Sequence, residues 1–282
     1  MMIKKIITHP GAAHRDDFLS VAIALALYGC VPVFRRDPTQ EELEDAEVLV
    51  LDCGGRHEPE RLNFDHHQLP RDADPECALS LFVRHLGLEE HFQLQSWYRT
   101  TVLLDSKGPF VTAKALGMEK LPEEIFSPIE TVLIGWFGAR EEFGDEMGDS
   151  VTEFLVDFGM DLLARIDDYS KVHSSIRELA KVVEVDDLQG FIAEETITFE
   201  LSKAMAQYRA RECPDVAFSI TKSDRAGESW ALYRYDDHPR VDFSRLSDDS
   251  RVIFAHKGGF IAKLAEGVDA GEALEMVKAA LV

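Results

Sequence analysis

The sequence predicts an α/β protein. An N-terminal open, mostly parallel sheet flanked by helices would lead through a helical connector to a smaller C-terminal α/β domain with a mixed sheet. Three observations predict this. Short β-rich apolar runs alternate with helical stretches over roughly the first 70 residues. From about 76 to 182 the apolar residues recur at spacings of three and four, the mark of helices packed on one side. Strand-like runs then return before a closing amphipathic helix. The two domains are accordingly set at 1–182 and 183–282.

The first strand is IKKIIT (3–8), broken by His9-Pro10-Gly11. Asp16 and Asp17 open the apolar run FLSVAIALALYG; acidic residues in a first turn and glycine at the end mark a helix. VPVF (31–34) is a short second strand, followed by an acidic helix near 38–46. AEVLVLD (46–52) reads as a buried parallel strand bounded by Cys53-Gly54-Gly55. Such open sheets place their ligands at the carboxyl ends of the strands. SLFVRHLGL, SWYRTTVLLDSKGP, IETVLIGWFGA and VTEFLVDFGMDLLARI supply the helical region, and ARIDDYSKVHSSIRELAKVVEV the connector. VAFSITKS, SWALYRYD and RVIFAHKGG are the later strands, and GEALEMVKAALV is the last helix.

At 282 residues and 45% hydrophobic, the chain can bury a sizeable core. It has no apolar run long enough to span a bilayer and no signal-peptide pattern, so a cytoplasmic protein without a membrane partner is expected. Cys30, Cys53, Cys77 and Cys213 lack paired or metal-type spacing and read as reduced thiols, Cys53 as a small buried residue rather than a ligand. The net charge of −22 opposes stable binding to duplex nucleic acid, which needs a positive stripe to displace counterions. The segment 205–263 is nearly balanced, with 10 Lys/Arg against 9 Asp/Glu, so a phosphate would be gripped there. A homodimer is compatible with the sequence.

Acid- and histidine-rich stretches stand at or near the ends of apolar runs: His9 to Asp17, Leu51 to Gly55, and Phe64 to Gln68. One His or Asp at a helix start is ordinarily a cap, and Asp17 is read that way. Chance placement of His9, His14, Asp16, Asp52, His66 and His67 along one sheet edge is improbable. Imidazoles and carboxylates without thiolates suit a pair of hard or borderline ions such as Mn²⁺ or Mg²⁺. Paired metals are a standard device for phosphate-ester hydrolysis.

FDHHQ resembles the signature of the DHH phosphoesterase superfamily, which includes exopolyphosphatases, family II pyrophosphatases, RecJ-type nucleases and cyclic dinucleotide phosphodiesterases. The superfamily's opening motif is His-x-x-x-Asp-x-Asp, with a serine four residues after the last Asp. Ser20 lies four residues after Asp16, so Asp16 takes the second-aspartate role and His14 stands in place of the first. That departure is most similar to the Myg-type (melanocyte proliferating gene, UPF0160-like) metal-dependent hydrolases, as are Asp52-x-Gly54-Gly55 and the His256-x-x-Gly259-Phe260-Ile261 stretch. The chain lacks the GGGH-type motif of RecJ-like proteins.

The resemblance implies two ions per site. His9, His14 and Asp16 would serve one, Asp52 would bridge, and His66 and Asp105 (in LLDSKGP) would complete the second. Two cations sharing a water acidify it enough to supply hydroxide near neutral pH. His67 would contact the scissile phosphate or protonate the leaving oxygen, with Asp65 orienting an imidazole. The superfamily's C-terminal domain closes over the cleft, which nominates His256, Lys257, Gly258, Gly259, Lys263 and Arg240 as substrate-binding residues. Backbone N–H groups at the Gly258-Gly259 turn would be free to meet an anion. The expected activity is metal-dependent, exonuclease-like hydrolysis of phosphodiesters in nucleotides, dinucleotides or short single-stranded RNA or DNA. Pyrophosphate or short polyphosphate cleavage is the second enzymatic reading. A metal-containing regulatory protein without turnover is the third.

Overall fold

The computed structural model describes residues 2–122, 128–144, 149–223 and 229–282. The protein is α/β and divides into two compact units, Met1–Asp167 and Asp168–Val282.

In the first unit, β1 (Lys5–Thr8), α1 (Arg15–Tyr28), β2 (Val33–Arg35), α2 (Gln40–Glu44) and β3 (Val48–Leu51) alternate as the sequence predicts. Two short strands follow, β4 (His57–Glu58) and β5 (Asn63–Phe64). The helices are α3 (Ala78–His85), α4 (Glu89–Gln93), α5 (Tyr98–Ala115) and α6 (Pro128–Gly138); a short β6 (Glu142–Phe143) precedes α7 (Ser150–Leu179). The sheet order is β4-β5-β3-β1-β2-β6. Its four central strands are parallel, and the edge strands β4 and β6 pair antiparallel. The register sets Thr8 beside Leu51, and Leu51 beside Phe64. The residues that follow these three therefore emerge together at one sheet edge.

α1 is apolar on nearly every face, so it lies within the core, buried from Asp16 through Leu25. Its contact with α7 is a backbone approach: a Cβ at Gly159 would fall 2.1 Å from the Ala22 carbonyl oxygen. The LLDSKGP run lies inside α5, where Gly108 (φ 75°, ψ 175°) breaks the helical path before Pro109.

The second unit holds β7 (Lys181–Val185), β8 (Leu188–Ile197), α8 (Phe199–Glu212), β9 (Val216–Ser223), β10 (Trp230–Arg234), β11 (Val252–Ala255), β12 (Ile261–Leu264) and α9 (Ala270–Ala279). The sheet runs β11-β12-β10-β9-β8-β7 and is mixed, with β8 and β9 parallel. KVVEV does not extend the connector helix. Its β-branched residues pair antiparallel with β8 instead. No described helix is long and apolar enough to cross a membrane.

Candidate metal centre

The sheet edge gathers the acid- and histidine-rich stretches. His9 follows β1, Asp52 follows β3, and Asp65, His66 and His67 follow β5. Asp16 comes from the first turn of α1, and Asp105 from the part of α5 before its kink. One ligand atom each from Asp16, Asp52, His66 and Asp105 lies within 4.8 Å of all the others, and Asp52, His66 and His67 form a second group sharing two of those residues.

Local backbone makes this placement. Asp52 has φ 60°, a left-handed conformation that costs a non-glycine residue about 1–3 kcal/mol. It turns the chain sharply at the strand end, and the backbone of Gly54 continues that turn. Gly54 has φ 90°, and a Cβ there would meet Leu43 Cδ2 at 2.8 Å. The aspartate and the glycine thus serve one turn.

The group carries unanswered polar atoms. Asp16 Oδ1, both Asp52 carboxylate oxygens, His66 Nε2 and Asp105 Oδ2 are buried without a hydrogen-bond partner. His66 Nε2 lies 2.8 Å from Asp105 Oδ2 and 3.3 Å from Asp52 Oδ1, but neither approach is aligned as a hydrogen bond. Burying such atoms unpaired costs about 1–3 kcal/mol each, more when charged. Three carboxylates and an imidazole aimed at one point fit a divalent cation of the oxygen- and nitrogen-preferring kind.

Titration follows the same crowding. Burial pushes the Asp16 carboxyl well above the usual range, and Asp52 and Asp105 add to the push. Burial would lower the His66 imidazole, but the Asp105 and Asp52 carboxylates hold it up to about 10. Burial opposes ionisation of Asp105 too, yet His14 and His66 keep it below the usual carboxylate range.

Asp65 faces away from this group. Its Oδ1 accepts from the His67 backbone N–H at 3.0 Å and lies 2.7 Å from His67 Nδ1, and its Oδ2 accepts from the Gly55 N–H at 2.6 Å. Burial raises the Asp65 carboxyl, but these partners together hold it below the usual range. His67 is half exposed.

His9 and His14 lie beside the four-residue group rather than in it. His9 Nδ1 is buried without a partner, and its ring centroid is 5.5 Å from that of His14 and 5.9 Å from that of His67. His14 Nδ1 is 3.5 Å from Asp105 Oδ1, and that carboxylate raises the imidazole pKa. Asp17 caps α1: its Oδ1 accepts from the His14 N–H at 2.8 Å. Its Oδ2 accepts from Arg35 at 3.1 Å, with both side chains buried. Arg35 also donates to the Gly11 and Gly138 carbonyls and lies 4.8 Å over the Phe137 ring. Sequence reasoning passed over Arg35, which holds the 9–14 loop to α6. Its signal was the Arg35-Arg36 pair at the end of an apolar strand.

Residues 5–74 match the family model described as Uncharacterised protein family (UPF0160). The matching stretch is similar to that family and holds β1 to β5 and, with them, His9, His14, Asp16, Asp52, Asp65, His66 and His67; Asp105 lies beyond it. No curated protein matches the chain. Among solved structures it is similar to a pGpG-specific phosphodiesterase, PggH from Vibrio cholerae, at 12% identity and TM-score 0.32, over 98% of this chain and 99% of that one. It is also similar to an uncharacterized protein from Helicobacter pylori G27, at 11% identity and TM-score 0.26, over 97% and 98%.

The second unit corrects two expectations about substrate contacts. The N–H groups at the Gly258-Gly259 turn are not free: Gly258 donates to His256 Nδ1 at 3.0 Å and Gly259 to the His256 carbonyl at 2.9 Å. A histidine two residues upstream closes the turn on itself. Arg240 makes two hydrogen bonds to Asp187, at 2.7 and 2.5 Å, so its guanidinium is engaged by a carboxylate rather than open to phosphate. His256 packs against Phe260 at 4.2 Å, Lys257 is exposed, and Lys263 lies on β12 opposite Ala231.

Proposed function

We propose that the protein is a divalent-metal-dependent phosphodiesterase acting on nucleotides or short single-stranded oligonucleotides. One observation carries this reading: the four converging donor residues whose buried oxygen and nitrogen atoms lack partners. Asp16, Asp52, His66 and Asp105 would hold the cations, with His9 and His14 at the rim and Asp52 placed to serve two ions. When bound, Mn²⁺ or Mg²⁺ supplies Lewis acidity toward the phosphate and acidifies water.

The remaining chemistry belongs to the chain. Asp65 fixes the His67 ring through Nδ1, which turns Nε2 outward to hydrogen-bond a phosphate oxygen or hand a proton to the leaving oxygen. Arg35, through Asp17 and the Gly11 carbonyl, keeps the loop between β1 and α1 in place while substrate enters. The buried walls around Asp16 and Asp52 exclude bulk water, which strengthens every charge interaction inside.

The test is Mn²⁺-dependent release of nitrophenol from bis(p-nitrophenyl) phosphate. Asp52→Ala and His66→Ala are expected to lower kcat/KM by at least about a hundred-fold. Wild-type turnover in Asp52→Ala would overturn the assignment of the centre.

A further inference from the structure

Two clefts in the first unit share Asp105 as a wall. One holds about 200 Å³ and is polar, with His66, His67, Arg71 and Lys107 around it. The other holds about 810 Å³ and is walled by small and apolar residues, among them Ala13, Leu104, Pro109, Ile134 and Gly135, with His14 and Asp105 also lining it.

The larger cleft has the dimensions of a small-molecule pocket, which typically spans about 300–1,000 Å³. Among the described residues its lining holds one guanidinium, Arg15, which is ion-paired with Glu130, so these walls suit an uncharged body rather than a phosphate. Negative charge belongs at its Asp105 end, where the cations would bind. An occupant with a flat apolar body and an anionic end matches both parts. Gly135 supplies an independent observation. It lies inside α6, where glycine costs about 1 kcal/mol relative to alanine. A Cβ there would meet nothing within 4 Å among the described residues, so none of their atoms requires the glycine. What its missing side chain preserves is the volume of the cleft.

We propose that this cleft is the subsite for one nucleoside of the phosphodiester, its base against Leu104, Pro109 and Ile134 and its phosphate toward Asp105. The proposal rests on the phosphodiesterase reading. It narrows the substrate to one presenting a single nucleoside at a time, which describes dinucleotides and chain ends. Pyrophosphate and polyphosphate have nothing to place there.

The experiment compares two Mn²⁺-dependent substrates with the same leaving group, thymidine 5′-(p-nitrophenyl) phosphate and methyl p-nitrophenyl phosphate. Gly135→Leu is expected to raise KM for the nucleoside ester about ten-fold or more and to leave the methyl ester within about two-fold. Thr131→Phe, an exposed position on the same wall, gives a second block that does not depend on Gly135→Leu folding. Calorimetric titration with AMP reads the same site without turnover, and AMP should bind the blocked variants about ten-fold more weakly than wild type. Equal effects on both esters, or unchanged AMP affinity in both variants, overturns the subsite. If neither ester is hydrolysed while AMP binding is weakened by the blocks, the phosphodiesterase reading fails and the nucleoside cleft stands.

Discussion

Asp52 and Gly54 show how a short motif can be legible in kind and opaque in cause. The Asp-x-Gly-Gly pattern marked a turn and a candidate ligand. The left-handed backbone at the aspartate itself could not be read, because nothing local requires φ 60° there. Gly54→Ala is expected to cost about 2–4 kcal/mol, from backbone strain plus the Leu43 contact, and to weaken Mn²⁺ binding. Urea unfolding and metal titration of the variant check this. Arg35 belongs to the same scale. Arg35→Leu strands the buried Asp17 carboxylate, and losing one partner of such a pair costs about 3–5 kcal/mol. A loss of unfolding free energy under about 1 kcal/mol in urea unfolding would remove Arg35 as the clamp of the loop.

Elements were read best where their pattern was long. α1, α7, β9 and α9 stand out because apolar spacing runs through a dozen residues or ends at clear turns. β4, β5 and β6 are two residues each, too short for any periodicity to register. β7 and β8 were hidden by charge, since Lys181, Glu184, Glu194 and Glu195 break the apolar runs. α2 is tied to the sheet by Glu42, which accepts from Lys5 on β1 and from Arg36. Arg36 chiefly, with Lys5 and the Thr39 N–H, holds the Glu42 carboxyl below its ordinary range despite opposing burial. A depressed folded-state pKa gives stability that is present above the unfolded value of about 4.3 and lost as pH falls through the folded one. Glu42→Gln is therefore expected to cost about 1–2 kcal/mol at pH 7, with the gap to wild type closing below about pH 4. Chemical unfolding at both pH values decides it; a gap independent of pH counts against the ion pair.

At the scale of the molecule, the proposed centre predicts that cations stabilise the first unit through the converging Asp16, Asp52, His66 and Asp105. Saturation at a hundred times Kd adds about 2.7 kcal/mol, worth about 5–10 °C in a unit of this size. Mn²⁺ should raise one thermal transition and leave that of the second unit within about 1 °C, and chelation should reverse the shift. A uniform rise of both transitions would mean that the ion is not confined to the first unit. The net charge of −22 could not say where the acids converge. That depends on register between strands far apart in sequence, which only the folded sheet supplies.

The backbone approach of α7 to α1 gives the protein a remote handle on its own chemistry. Gly159 and Ala22 are separated by the length of the first unit in sequence, yet any side chain added at 159 must displace α1 along its flank. Asp16 lies in the first turn of α1, so the displacement reaches the proposed centre without altering a single donor. A substitution at this helix crossing is thus a way to move Asp16 from a distance.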